Sequence, residues 1–267
     1  MNDWIRVALA ASLEAGREIL DIYESDDVGV EYKEDQSPLT RADRVAHDVL
    51  MRHLEATGIP VLSEEGKHMP FSERQGWREL WIVDPVDGTK EFIKRNGEFT
   101  VNVALVRDGR VAGGVVLAPV LGHAYVGVVG EGAWRLEVDM NVVPSADEAW
   151  SARSALPFVA AAARPFTVVA SRSHMSPETE AYVEEVRAEH GEVDLISKGS
   201  SLKLCMVAEG TADAYPRFAP TMEWDTAAGQ AVCEAAGCDV VDQLTGETMR
   251  YNREELLNAW FLVSRTN

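Results

Sequence analysis

A layered α/β fold is what this sequence predicts. Segments with apolar residues at helical spacing alternate with short apolar runs of strand length in both halves of the chain. One such run, residues 80–83, ends in two carboxylates, Asp84 and Asp87, with Pro85 between them and Gly88 and Thr89 after them. Open α/β sheets bind their ligands beyond the carboxyl ends of strands. At 267 residues the chain suffices for one large domain or two closely fused halves.

The elements follow in order. Ile5, Ala8, Leu9, Leu13, Ile19, Leu20 and Ile22 share one face and predict an amphipathic helix over 2–23. Residues 29–38 read as a polar connection. Thr40 suits the N-cap of a helix running to His53. A short strand over 60–62 ends at Ser63-Glu64-Glu65. Strands are expected over 99–107 and 111–119, joined at the hairpin signal Asp108-Gly109, and then over 123–129. Residues 139–164 are alanine-rich with weak periodicity and divide the chain into sub-halves of about 1–145 and 146–267. The second sub-half predicts a strand at 167–170, a helix at 177–190, a strand at 194–197 and a helix at 200–209. A strand at 213–215 precedes a helix at 225–236, which Gly237 stops. Strands at 240–241 and 261–263 close the chain.

Composition narrows the function. With 46% apolar and 26% charged residues the chain has the make-up of an ordinary globular enzyme. A net charge of −19 argues against a nucleic acid polymer or an anionic membrane surface as partner. A small anionic substrate is compatible if cations in the site reverse the local field. No apolar run reaches the ~18 residues of a membrane span, so no integral membrane segment is expected. The N-terminal residues lack the basic and apolar regions of a signal peptide, which favours the cytoplasm. The three cysteines, Cys205, Cys233 and Cys238, have neither disulfide nor zinc spacing and read as small buried groups in a reducing compartment.

Asp84 and Asp87 are hard oxygen ligands on a rigid turn, which suits Mg²⁺. The same residues also read as a plain Asx-type turn, Glu64-Glu65 as a solvated loop, and Asp225 as a first-turn charge that favours its helix dipole. Asp43 reads as an exposed helix charge, Thr89 and Ser200 as N-caps, Lys203 and Arg217 as solvated cations, and His174 as a loop residue. Spacing alone brings none of these sites together.

A resemblance does. Asp84-Pro85-Val86-Asp87-Gly88-Thr89 and Trp224-Asp225-Thr226-Ala227-Ala228-Gly229, with Glu64 about twenty residues before the first string, resemble the signatures of the inositol monophosphatase superfamily of Mg²⁺-dependent phosphatases. Longer strings are similar to its CysQ-type 3′(2′),5′-bisphosphate nucleotidases. They begin at Lys33-Glu34-Asp35-Gln36, Lys90-Glu91-Phe92-Ile93, Ser171-Arg172-Ser173-His174, Gly199-Ser200-Ser201-Leu202-Lys203 and Tyr215-Pro216-Arg217-Phe218. The resemblance implies a single domain over 1–267, built as an α-β-α-β-α sandwich. It implies removal of the 3′-phosphate of adenosine 3′,5′-bisphosphate by attack of metal-activated water. The alternatives are an inositol-1-phosphate or sugar-phosphate phosphatase, or a sensor that binds a phosphorylated nucleotide without hydrolysing it.

Carried over residue by residue, the resemblance assigns Glu64, Asp84, Asp87, Asp225 and the Val86 carbonyl to two or three Mg²⁺ ions. Four carboxylates and a phosphate monoester of about −2 charge are balanced by two or three divalent cations, not by one. Asp43, Glu64 and Thr89 are expected to orient and deprotonate water. Gly88, Thr89, His174, Ser200, Ser201, Lys203, Arg217 and Asp225 are expected to contact substrate. Lithium inhibition and peripheral association with the inner membrane also belong to the family pattern, and a homodimer is the assembly left open by the sequence.

Overall fold

The structure is a computed structural model that describes residues 1–33, 37–158, 164–170 and 175–265. The first half contains α1 (Asp3–Tyr23), β1 (Glu31–Tyr32), β2 (Pro38–Leu39), α2 (Arg41–Leu54), β3 (Val61–Ser63), α3 (Phe71–Arg74), β4 (Glu79–Asp87) and α4 (Thr89–Ile93). It continues with β5 (Thr100–Arg107), β6 (Arg110–Ala118), β7 (His123–Val128), β8 (Gly132–Glu137), α5 (Ala146–Ser151) and β9 (Arg153–Ala155). Then come β10 (Phe166–Val169), α6 (Pro177–His190), β11 (Val193–Ile196), α7 (Leu202–Glu209), β12 (Ala214–Arg217), α8 (Glu223–Ala235), β13 (Cys238–Asp242) and β14 (Phe261–Arg265).

These elements stack in alternating layers. A seven-stranded sheet runs in the order β3-β4-β5-β6-β7-β8-β9, antiparallel except at β3-β4. The helices α1, α2 and α5 cover one face of it, and α7 and α8 fill the space to a five-stranded sheet of order β11-β10-β12-β14-β13. Helix α6 covers the far face of that second sheet. The predicted α-β-α-β-α sandwich is therefore the observed one. Antiparallel sheets often leave one face to water, and their strands then alternate apolar and polar. Here both faces are covered, so β5 is buried from Thr100 to Val106 and is apolar apart from Thr100 and Asn102.

Helix α8 lies unusually close to the first sheet. A methyl group on Gly114 would stand 2.8 Å from the Ala228 Cα, and one on Gly127 would stand 2.5 Å from the Ala231 carbonyl oxygen. The bare backbone of β6 and β7 lets the helix settle there, which sets the start of α8 beside the end of β4. Gly127→Ala should cost about 1–3 kcal/mol through overpacking. Chemical denaturation checks this, and an unchanged midpoint would refute the close approach.

Several short elements depart from the sequence reading. The expected polar connection over 29–38 contains the paired strands β1 and β2. β9 pairs with β8 and carries the first sheet to Ala155, past the composition change near residue 145. The strand before the acidic motif does not stop at Val83 but runs to Asp87, with its register broken between Asp84 and Asp87. All three cysteines are buried free thiols, as expected.

Candidate active site

The break in β4 brings the acidic motif together. In a regular strand, residues three apart point to opposite faces. An irregular step at Pro85 and Val86 shifts that phase. As a result carboxylate oxygens of Asp84 and Asp87 approach one another, and Asp225 from the first turn of α8 joins them. The three ligand oxygens lie within 4.8 Å of one another.

In each of these carboxylates one oxygen is held by the protein. Asp84 Oδ1 accepts the Val86 N–H at 3.0 Å, and Asp225 Oδ2 accepts the Met222 N–H at 2.8 Å. Asp87 Oδ2 accepts the Ser201 N–H at 2.7 Å and its hydroxyl at 2.9 Å, with Asn102 Nδ2 at 3.3 Å and Thr100 Oγ1 at 3.4 Å. The opposite oxygen of each has no donor among the described residues. Burial pushes Asp84 well above the usual carboxylate range, and repulsion from Glu64, Asp87 and Asp225 adds to it. Burial, with repulsion from Asp87, pushes Asp225 up to about 7. Free oxygens aimed at a common centre, charge that needs neutralising and the absence of sulfur or nitrogen donors within that cluster fit a hard divalent cation.

Glu64 follows β3 and lines the same cavity, but it is not one of the three converging carboxylates. Its Oε1 accepts the Lys33 ammonium at 2.9 Å, and Lys33 also reaches Glu65 at 2.6 Å. Burial raises Glu64 above its ordinary value although Lys33 opposes the rise.

Asp43 is not the exposed helix charge that its sequence position allows. It is 2% exposed, and its Oδ2 accepts the Thr40 N–H at 2.7 Å and hydroxyl at 2.6 Å. Its other oxygen faces the Thr89 hydroxyl at 3.2 Å. Burial raises the Asp43 carboxyl despite the Thr40 bonds. The single Thr89 hydroxyl proton also has the Val86 carbonyl within 3.3 Å. Gly88, with φ at 91°, turns the chain from β4 into α4. A methyl group there would meet Ser200 Oγ at 2.1 Å.

The expected substrate residues divide. Ser200 and Lys203 line the cavity beside Gly88, Thr89, Arg217 and Asp225. The Ser200 hydroxyl faces the carbonyls of Asp87 at 2.7 Å and Glu98 at 2.8 Å. Ser201 is 1% exposed, and its hydroxyl donates to Asp87 or the Asp225 carbonyl, so it stands behind these carboxylates and holds Asp87. His174, with the whole string Ser171-Arg172-Ser173-His174, lies outside the described residues. The sequence reading missed Thr100 and Asn102, which donate to Asp87. Their signal was two polar residues at period two inside an otherwise apolar strand.

The cavity has a volume of about 560 Å³ and cations on its walls. Lys203 Nζ donates to the Lys198 carbonyl at 3.3 Å and lies 5.8 Å from the centre of the Tyr215 ring. Burial lowers its ammonium to about 8, against the pull of Asp87. Arg217 donates to the Pro220 carbonyl at 3.0 Å, and no carboxylate pairs with it among the described residues. Acidic oxygens and cations lining one cavity suit a phosphate ester bound through a metal. Fold and site together define a metal-dependent phosphatase of the layered α/β class.

The chain matches the inositol monophosphatase family over residues 1–262. It is 45% identical over 254 residues to the 3′(2′),5′-bisphosphate nucleotidase CysQ of Shigella flexneri, covering 94% of this chain and 95% of that one. The crystal structure of CysQ from Bacteroides thetaiotaomicron superimposes with a TM-score of 0.88 at 49% identity, covering 98% and 97% of the two chains. The IMPase of Thermotoga maritima shares the fold at 20% identity and a TM-score of 0.70, over 96% and 89% of the two chains. The chain belongs to the inositol monophosphatase family. No helix among the described residues is long and apolar enough to cross a membrane.

Proposed function

We propose that this protein hydrolyses the 3′-phosphate of adenosine 3′,5′-bisphosphate to give AMP and inorganic phosphate. The carrying observation is a single cavity lined both by Asp87 and Asp225 of the converging carboxylates and by Lys203 and Arg217. A substrate with one phosphate needs cations only at the metal end. A bisphosphate gives the wall cations a second anion to meet. The relatives at 45% identity that carry the nucleotidase name support the same substrate class.

Asp84, Asp87, Asp225, the Val86 carbonyl and Glu64 are the proposed holders of two or three Mg²⁺ ions, with Glu64 exchanging its Lys33 contact for one of them. Bound there, Mg²⁺ supplies a lowered pKa for water and positive charge for the leaving oxygen. The chain's own contribution is position and a route for the proton. The Thr89 hydroxyl donates to Asp43 and so turns a lone pair outward to accept from the attacking water. Asp43, raised by burial and oriented by Thr40, is a stronger base than an exposed carboxylate and receives the proton through Thr89. The N–H groups of Gly88 and Thr89 are proposed phosphate contacts, and Ser200, Lys203 and Arg217 contacts to the rest of the nucleotide. Water attacks phosphorus directly, with no covalent phosphoenzyme.

Phosphate release from adenosine 3′,5′-bisphosphate, inositol 1-phosphate and fructose 1,6-bisphosphate, with Mg²⁺ and with or without Li⁺, tests this reading. The nucleotide should have the highest kcat/KM, and Li⁺ should inhibit. A higher value for inositol 1-phosphate would overturn the substrate, and no release from any would favour a sensor. Arg217→Ala should lower kcat/KM for the bisphosphate by about tenfold to a hundredfold, as for loss of a charge-assisted contact worth ~1.5–3 kcal/mol. Inositol 1-phosphate should be less affected, and equal losses would count against the assignment. We place the protein in the cytoplasm, and light scattering tests the expected homodimer.

A further inference from the structure

The wall cations account for phosphate but leave the nucleobase without a partner. Apolar side chains, Met175, Phe218, Ala219 and Phe261, line the same cavity as Arg217. Phe218 is half-buried and held on two sides by other rings. Tyr182 of α6 stands against it at 6.2 Å between ring centres and 85°, and Trp260, just before β14, at 5.8 Å and 42°. Phe218 is the member of this trio that lines the cavity, and Trp260 is 45% exposed, so the rings cluster at the surface and not in the core. Aromatic groups grouped for stability alone concentrate where they exclude water. A ring braced at a cavity wall, directly after a residue suited to phosphate, is placed for stacking.

We propose that Phe218 is the stacking platform for the substrate's base, with Tyr182 and Trp260 as positioning residues that hold its ring. The inference rests on the nucleotide reading and adds to it the feature that selects a nucleoside over a bare phosphorylated ring. Neighbouring positions in the chain then serve neighbouring parts of the substrate, Arg217 the phosphate and Phe218 the base. Stacking reads a flat π surface, not a hydrogen-bond pattern, so purines should be preferred to pyrimidines by area.

The test compares adenosine 3′,5′-bisphosphate with an abasic 3′,5′-bisphosphate built on a tetrahydrofuran ring, both with Mg²⁺. Wild-type protein should favour the adenosine compound in kcat/KM by roughly tenfold to a hundredfold, mainly through KM. Phe218→Ala should erase most of that preference, Phe218→Trp should keep it, and Phe218→Leu should behave like alanine. Thermal unfolding of each variant shows that the fold persists. Trp260→Ala should reduce the preference partially. If Phe218→Ala lowers both substrates equally, or if Phe218→Leu keeps the full preference, the platform is wrong while the bisphosphate reading survives. Failure of wild-type protein to hydrolyse either compound would overturn the bisphosphate reading and the platform with it.

Discussion

Asp84→Asn should lower kcat/KM by about a thousandfold while making the metal-free protein harder to unfold. The activity loss follows from the value of metal catalysis, several kcal/mol in the transition state, at about 1.4 kcal/mol per factor of ten. The gain in stability follows from the cost of the unneutralised cluster. Asp84 is 1% exposed and is pushed up by burial and by four neighbouring carboxylates, Glu64, Asp87, Asp225 and Asp43. Asparagine keeps the shape and removes a charge. The pH dependence has a definite sign. A carboxyl whose pKa is higher folded than unfolded binds more protons in the folded state, so stability falls as pH rises between the two values. For Asp225 that window runs from 3.8 to about 7, and its span alone corresponds to on the order of 4 kcal/mol. Chelator-treated wild-type protein should therefore lose several degrees of Tm between pH 5 and pH 8. Mg²⁺ should restore more of it at pH 8 than at pH 5. The Asp84→Asn curve without metal should be flatter and higher. A variant that melts below wild type at pH 8 in chelator, or a wild-type Tm indifferent to Mg²⁺, would sink the argument.

Thr89→Val should cost about 10²–10⁴-fold in kcat, the range of general acid–base assistance, with KM and Mg²⁺ dependence little changed. Valine preserves the shape and removes the hydroxyl that joins the site to Asp43. Serine at this position should recover activity to within about tenfold. A merely structural role at the start of α4 would instead show in Tm, which should move little. Asp43→Asn separates the two further, because asparagine still accepts the Thr40 N–H in the α2 cap. Its pH–rate profile should lose the acid limb, which in wild-type protein lies above the usual carboxylate range because burial raises Asp43. Retention of that limb in Asp43→Asn would remove Asp43 from the proton route.

Much of the fold was legible because long periodic segments carry their own signal. The helix expected over 177–190 is α6, and the one expected over 2–23 is α1 within a residue. The short elements were not legible. β1 and β2 have two residues each, and β9 is exposed at all three of its residues, so neither length nor alternation marks them. They exist because a neighbouring strand offers hydrogen bonds. β8 begins at Gly132 directly after the turn at 129–131 and is absent from the sequence reading, because glycines at 130 and 132 signal a break and not a strand.

The site shows the same division. Residue types, order along the chain and family strings determined by themselves that this protein carries carboxylates, a hydroxyl and basic side chains of the kinds a metal-dependent phosphatase uses. Only tertiary structure decided how they serve one centre. A register break in β4 aligns Asp84 with Asp87, and glycines in β6 and β7 admit α8 so that Asp225 reaches them. Ser201 moves from the substrate to the support of Asp87, and Lys33 takes hold of Glu64. The physical reason is that sequence records which groups are available, whereas distance and desolvation, which set ligation and pKa, arise only when remote segments pack.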